Sequence, residues 1–360
     1  MKKINFWLER PPFATAGFLK PLKKLLGNSM NIYIRDDYVS NRKGFDEGTL
    51  NELGCILVHK NLSNVDFHTI ADDSINVING FNSFVYNFLK EEKQKNSRVI
   101  VGCYTELPCP MGHFRNAKKI LLKFKYRKVI SRASNFIDFL LPIGQIADDY
   151  YKLIGWHKPS LPFFYITDLV YSQCESNFLD LENGSYCYIG RNDFVNKGLN
   201  KLLKFFKRNQ KLNLLIIGNY GVDSEKVMHS IQKFKNIKLV PSIDPCDIID
   251  YLRSIKIKCI VVPSNIDGWN PNVYLSLLTG VPCIATNASG SFDLIEKYDI
   301  GFVCRPSYRC ISKTILKFEN LDCQKKTQFF TNAHKASLEC SPENIAKSLL
   351  RFLESTFEDK

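Results

Sequence analysis

Nowhere in the 360 residues do eighteen apolar positions run together, so the sequence offers no helix able to cross a bilayer. No segment repeats at a fixed period and no tract is of low complexity, which excludes a solenoid and a long disordered region. Negative charge is in short supply: 36 acidic residues stand against 49 Lys and Arg, a formal net charge of +13. Such a surplus calls for an anionic partner. Nucleic acid is one candidate, but no recognised nucleic-acid module can be read in the chain. An anionic membrane surface fits better, because the charge is concentrated between Arg115 and Arg132. The opening Met1-Lys-Lys-Ile-Asn-Phe-Trp7 lacks the apolar region and cleavage site of a signal peptide, so a cytoplasmic protein is expected. The 12 cysteines show no metal-ligand spacing apart from Cys103 with Cys109, and several lie in apolar strand-like runs. They read as buried free thiols, with neither a metal site nor a cofactor expected.

What is present is the composition of an ordinary globular protein, in a chain longer than one core usually supports; two domains are expected. Short β-branched runs alternate with helical spacing. In the first half, strands are read at 3–9, 32–35, 54–58, 74–79, 98–104 and 136–144, with 161–166 as a last strand. The loop 11–17 leads into a helix ending at Gly27, and further helices are read at 83–92 and 145–153. In the second half, strands are read at 185–190, 214–218, 237–240, 259–263 and 281–285. Helices there are read at 199–209, 219–234, 244–254, 271–279, 308–318 and 342–357. The alternation predicts an α/β protein with parallel sheets covered on both faces. Its boundaries are a first domain at 1–168, a polar linker at 169–184, a second domain at 185–340 and a closing helical segment at 341–360.

The second half is organised around Cys259 to Gly301, a strand, loop, helix and strand in succession. Pro271 at the first position of the helix costs no hydrogen bond, and Gly280 ends it. Ligands of such units sit at the carboxyl ends of the strands, where the helix start at Asn270, Pro271, Asn272 and Val273 offers free N–H groups to an anion. Arg191 and Lys197, from the loop after Gly190 and from the start of the next helix, suit the two negative phosphates of a diphosphate.

These residues carry a resemblance. Pro263-Ser264, Asp267-Gly268-Trp269, Gly280-Val-Pro282, Ala285-Thr286 and Ser289-Gly290 resemble, in that order, the donor-sugar motif of the family-4 glycosyltransferases. Tyr188-Ile-Gly190-Arg191 and Asn196-Lys197-Gly198 are similar to the same family's Gly-Arg and Lys-Gly elements. The resemblance implies the GT-B fold, two Rossmann-like doubly wound parallel-sheet domains facing a cleft. It also implies retaining transfer of a sugar from a nucleotide-sugar donor, a UDP- or GDP-sugar, to a saccharide or lipid-linked acceptor, as in bacterial capsule or O-antigen synthesis. On that reading Arg191 and Lys197 hold the donor diphosphate, with Gly17 facing it from the first domain. Ser242 and Ile243 border the base, and Gly218 and Gly268 complete the donor set. Asp267 fills the first of the motif's two acidic places, while the second, which reaches the donor ribose, is occupied by Leu275. The closing helix is expected to cross back to the first domain, and no metal is required.

Several residues keep two readings. Glu106, just past a strand end, either receives an acceptor hydroxyl as a catalytic group or is a solvated loop acid, and His113 carries the same ambiguity. Gly17 either admits a ligand or eases a turn. Trp269 either stacks on a sugar or base or plugs the domain interface. The segment 115–132 sets Ile120, Leu121, Phe124 and Val129 among many cations, the pattern either of a helix lying on anionic lipid or of a solvated basic face. Two rival functions remain: another nucleotide-sugar enzyme such as an epimerase, and a catalytically altered GT-B-like binding subunit, which Leu275 favours.

Overall fold

The computed structural model describes residues 2–9, 15–35, 47–59, 62, 74–81, 83–107, 116–164, 183–244 and 247–357. The chain divides into two compact units, 1–108 with 116–168 and 341–360, and 109–115 with 169–340. Unit 1 runs β1 (Lys3–Leu8), α1 (Ala16–Leu26), β2 (Met30–Arg35), α2 (Glu47–Leu53), β3 (Ile56–Val58), β4 (Ser74–Asn79), α3 (Tyr86–Lys95), β5 (Ile100–Thr105), α4 (Asn116–Ala133), β6 (Phe139–Pro142) and α5 (Gln145–Leu153). Unit 2 runs β7 (Ser185–Ile189), α6 (Leu199–Arg208), β8 (Leu214–Ile217), α7 (Ser224–Ile231), β9 (Ile237–Val240), α8 (Ile248–Ser254), β10 (Ile257–Val262), α9 (Pro271–Thr279), β11 (Cys283–Thr286), α10 (Asp293–Tyr298), β12 (Gly301–Cys304), α11 (Tyr308–Glu319) and α12 (Cys323–Glu339). The chain then returns to unit 1 with α13 (Pro342–Phe357).

Each unit holds one six-stranded parallel sheet, ordered β3-β2-β1-β4-β5-β6 and β12-β11-β10-β7-β8-β9. Both orders are doubly wound: three strands step outward, and the fourth returns to the other side of the first. The expected α/β architecture is therefore what the chain adopts. Parallel strands covered by helices bury both faces, which is why β5 and β10 are buried along their whole length.

The register of unit 1 is pinned by polar groups inside the sheet. Asn5 on β1 pairs in register with Asn76 on β4, and its amide donates to Ser74 Oγ at 3.1 Å and Asn76 Oδ1 at 3.3 Å. Trp7 Nε1 donates to Asn76 Oδ1 at 3.0 Å, and Asn31 on β2 donates to Asn5 Oδ1 at 3.0 Å. A shifted register would leave these buried amides without partners. Helix α13 completes the unit, its Phe352 and Phe357 rings packing on Phe139 of β6 at 5.7 and 5.2 Å.

In unit 2 the inward face of α6, with Leu202, Phe205 and Phe206, meets Ile311, Ile315 and Phe318 of α11 in the core under the sheet. Lys258 on β10 is buried at 3 % exposure and pairs with Glu319 Oε1 at 3.1 Å, an oxygen that also accepts from the Tyr186 hydroxyl.

Some expectations fail locally. Gly17 is the second residue of α1 and buried in its first turn, so it is not part of the loop, whose residues 10–14 lie outside those described. The strand read at 161–166 is described only to residue 164, and there as two parallel bridges, Leu140 to Ser160 and Ile143 to Phe163: Leu140 N and Gly144 N donate to Pro159 O and Phe163 O, but Pro142 between them has no N–H to continue the ladder. The helix read at 244–254 is described only from Ile248. Among the described side chains of α4, Ile130 and Ala133 are buried and Tyr126 is half-buried, while Phe124 is 65 % exposed, so of its two readings the one that packs Phe124 on the sheet is not adopted. The linker 169–184 falls almost wholly outside the described residues, as does His113. Strand β12 and helix α12 were not expected from the sequence. Every described cysteine is free, and burial pushes the thiols of Cys103, Cys187, Cys259 and Cys283 upward, leaving them protonated.

Candidate donor site

In a doubly wound sheet the crevice opens where the strand order reverses, outside the carboxyl ends of the two central strands. In unit 2 those strands are β7 and β10. The loops that leave them, 190–198 and 263–270, are tied to each other. Asn265 N and Ile266 N donate to Asn196 O at 2.7 and 3.2 Å, and Asn265 Nδ2 donates to Val195 O at 2.6 Å. Gly198 brings the Lys197 turn against the end of β10: its φ is +69°, and a Cβ there would stand 2.2 Å from Pro263 O.

At the centre of this seam is Asp267, 9 % exposed. Its Oδ2 accepts from Lys197 Nζ at 2.7 Å, Asn270 Nδ2 at 2.7 Å and Ser264 Oγ at 3.1 Å. Asn270 also caps α9, its Oδ1 accepting from Asn272 N at 2.9 Å, and Asn272 Nδ2 donates to Ile189 O at 2.8 Å. The start of α9 is thereby fastened both to Asp267 and to the end of β7. A third loop closes the group. Asp267 N donates to Ala288 O and Gly290 N to Asp267 O, each at 3.1 Å, and a Cβ on Gly290 would lie 1.7 Å from Gly268 O.

Among the sequence candidates, Lys197, Asp267, Asn270, Pro271 and Asn272 are thus brought into one seam, with Gly268 and Val273 in the same stretch. Arg191 is exposed on the loop leaving β7, two residues before buried Asp193. Burial raises the Asp193 carboxyl, but the N–H and side-chain amide of Asn196, at 2.8 and 2.9 Å, outweigh it and hold the group below the usual carboxylate range. Gly218 stands at the end of β8, its N–H donating to Val240 O at 3.1 Å. Ser242 is exposed and Ile243 half-buried just past β9. Trp269 is 5 % exposed and Leu275, within α9, is 4 % exposed. In unit 1, Glu106 is exposed just past β5, its backbone carbonyl accepting from the Tyr151 hydroxyl at 2.8 Å. Sequence reasoning carried Ser264 and Asn196 as parts of the motif without giving them a role, and passed over Asn265. Their signal was present as Asn and Ser crowding the two turns, since these side chains satisfy loop backbone.

Residues 175–336 match the family model described as Glycosyl transferases group 1. The match takes in most of unit 2 and somewhat under half of the chain. It spans the loops at β7 and β10 and the whole of α9, so the seam around Asp267 lies within the matched residues. Solved structures extend the likeness to the rest of the chain. Anabaena Alr3699/HepE in complex with UDP aligns over 98% of this chain and 100% of its own, at TM-score 0.70 and 14% identity. Sucrose-phosphate synthase from Thermosynechococcus elongatus covers 100% of both chains, at 0.71 and 12%. The lipopolysaccharide outer core galactosyltransferase WaaB, in its apo form, covers 99% of both, at 0.68 and 14%. The fold is accordingly GT-B, with the matched residues in its second half. A search of curated protein sequences gives no match.

Beside the seam lies a lysine of unusual character. Lys201, in the first turn of α6, donates to Pro263 O at 3.2 Å and to Asn265 Oδ1, and burial lowers its pKa to about 8. Between about pH 8 and the unfolded lysine value near 10.4, the unfolded chain binds a proton that the folded chain does not, so stability should rise with pH across that window. Below it the burial penalty is constant. In reductively ¹³C-methylated protein, a single lysine signal should titrate near pH 8, and Lys201→Arg should remove it.

Proposed function

We propose that the chain is a retaining glycosyltransferase that moves a sugar from a nucleotide-sugar donor to a saccharide or lipid-linked acceptor. The observation that carries this reading is the seam in which Lys197, the capped start of α9 and the ends of β7 and β10 are fastened together. Breaking the sugar–phosphate bond gives an oxocarbenium-like transition state and a nucleoside diphosphate that gains negative charge as it leaves. What the protein supplies is fixed positive charge at those phosphates. Lys197, with N–H groups beyond the one given to Asp267, supplies it together with Arg191 and the positive dipole end of α9, whose Asn272 and Val273 N–H groups are themselves taken by Asn270. The acceptor hydroxyl forms the new bond and loses its proton. Glu106 is the group in unit 1 that takes part in that loss. HepE, solved with UDP, supports a uridine donor, and Ser242 and Ile243 past β9 border the base.

The acceptor reaches the enzyme at a membrane surface. Phe124 stands exposed on α4 among exposed Lys123, Lys125, Arg127 and Lys128, which suits the headgroup region of anionic lipid and a peripheral place on the inner face of the membrane. Assembly of surface polysaccharide fits such an acceptor. A second reading, a GT-B binding subunit without turnover, is favoured by Leu275, which cannot hydrogen-bond a ribose.

Calorimetry with UDP, GDP and their sugars tests the donor, and donor hydrolysis without acceptor tests turnover. Binding of one diphosphate with slow hydrolysis of its sugar is the expected result. Binding without hydrolysis supports the subunit reading, and no binding ends both. Glu106→Gln should lower transfer by about 100-fold, the size of a lost proton acceptor, at unchanged donor affinity; transfer at the wild-type rate would remove Glu106 from the mechanism.

A further inference from the structure

Unit 2 carries a second strongly basic surface, remote in sequence from α4. Residues 199–211 and 305–318 contain no Asp or Glu. They form the two neighbouring helices α6 and α11, whose apolar sides are spent on the core of unit 2. The outward sides carry Lys204, Lys207 and Arg208 on α6, and Arg309, Lys313 and Lys317 on α11. Among the described residues none of these six enters an ion pair. Lys204 and Arg208 lie over the Tyr308 ring at 4.6 and 6.0 Å, Lys207 over Phe234 at 5.3 Å and Lys317 over Phe302 at 4.2 Å. Exposed Lys211 and Arg305 extend the patch at the ends of the two segments. The nearest acid in sequence, Glu319, pairs instead with buried Lys258. Between Lys313 and Lys317 stands Leu316, 46 % exposed.

We infer that the α6–α11 face of unit 2 docks on the anionic headgroups of a lipid bilayer. Unpaired cations on a protein surface repel one another, and an apposed anionic surface removes that cost. Two helices lying side by side on a sheet make a broad face with no single projecting helix to enter a groove. The nearby rings are covered by the cations themselves, so no bare aromatic platform is offered to the bases of a single strand. Long lysine stems around an exposed leucine suit a soft interface, where the leucine enters the apolar boundary and the ammonium groups stay with the phosphates. This inference depends neither on sugar transfer nor on α4.

Co-sedimentation of the full chain with vesicles of phosphatidylglycerol and phosphatidylcholine, against phosphatidylcholine alone, tests it. Binding should require the anionic lipid and fall at high salt. The triple variant Lys204→Gln, Lys313→Gln, Lys317→Gln should partition about 100-fold more weakly, at roughly 1 kcal/mol per cation removed. Its circular dichroism and melting temperature should be unchanged. A parallel variant with Lys123→Gln, Lys125→Gln and Lys128→Gln measures α4 separately, and residual binding by it that the α6–α11 triple abolishes supports the inference. The Leu316→Trp variant should show an emission blue-shifted on anionic vesicles relative to the wild-type protein. Wild-type partition by the α6–α11 triple, equal binding to both lipid mixtures, or no added blue shift in Leu316→Trp would each overturn the inference. So would vesicle indifference combined with oligonucleotide binding that the triple abolishes, which would assign the face to nucleic acid.

Discussion

Alanine in place of Lys197 is expected to weaken binding of a nucleoside diphosphate by about 10- to 100-fold, the equivalent of one charge-assisted hydrogen bond at about 1.5–3 kcal/mol. The lysine does not wave freely at the edge of the sheet. Its Nζ is held at 2.7 Å by Asp267, which Ser264 and Asn270 fix in turn, so its remaining N–H groups are aimed before a ligand arrives. Isothermal titration with UDP reads the effect directly. Asp267→Asn gives the companion measurement, because it removes the carboxylate that positions the lysine while leaving the lysine in place. Weaker binding in both variants supports a positioned cation. Unchanged affinity in Lys197→Ala with a lowered melting temperature would mean that the lysine serves Asp267 alone.

The second large effect concerns stability. Glu319→Ala should destabilise unit 2 by about 3–5 kcal/mol, because it leaves the ammonium of Lys258, at 3 % exposure, without its counter-charge. The Tyr186 hydroxyl loses its acceptor in the same step. The cost arises from the stranded charge, not from the net worth of the pair, and that distinction can be measured. Lys258→Met with Glu319→Leu should recover most of the loss in urea unfolding, since two apolar side chains need no partner. A double variant as weak as Glu319→Ala would show that packing around Glu319, not charge, accounts for the loss.

Both of these rest on elements of unequal legibility. The strands of unit 2 were readable because runs such as Leu214–Ile217 and Ile257–Val262 are short, β-branched and stopped by Gly or Pro, and a parallel sheet buried on both faces demands that pattern. Helix α9 was readable from Pro271 and Gly280. Strand β12 begins at a glycine with φ +154° packed onto the Cys283 backbone, a constraint with no local sequence signature. Helix α12 buries Phe329, Ala333 and Ala336 but few other residues, so its polar surface hid its period. At the site, the residue types were legible and their partners were not. Lys197 and Asp267 are 70 residues apart, and only the return of the chain from β9 to β10 makes them neighbours. In α4 the apolar spacing did not fix which side of the helix meets the sheet, so the exposure of Phe124 was not legible.

Unit 1 is built from pieces on either side of unit 2 in the chain, and α13 is the late piece. During synthesis, then, the face of β6 that receives Phe352 and Phe357 must wait uncovered while the whole of unit 2 emerges from the ribosome. A nascent chain halted near Cys340 would carry a finished second unit beside an open, sticky amino-terminal one. Such a product is expected to need chaperone protection that the complete chain does not.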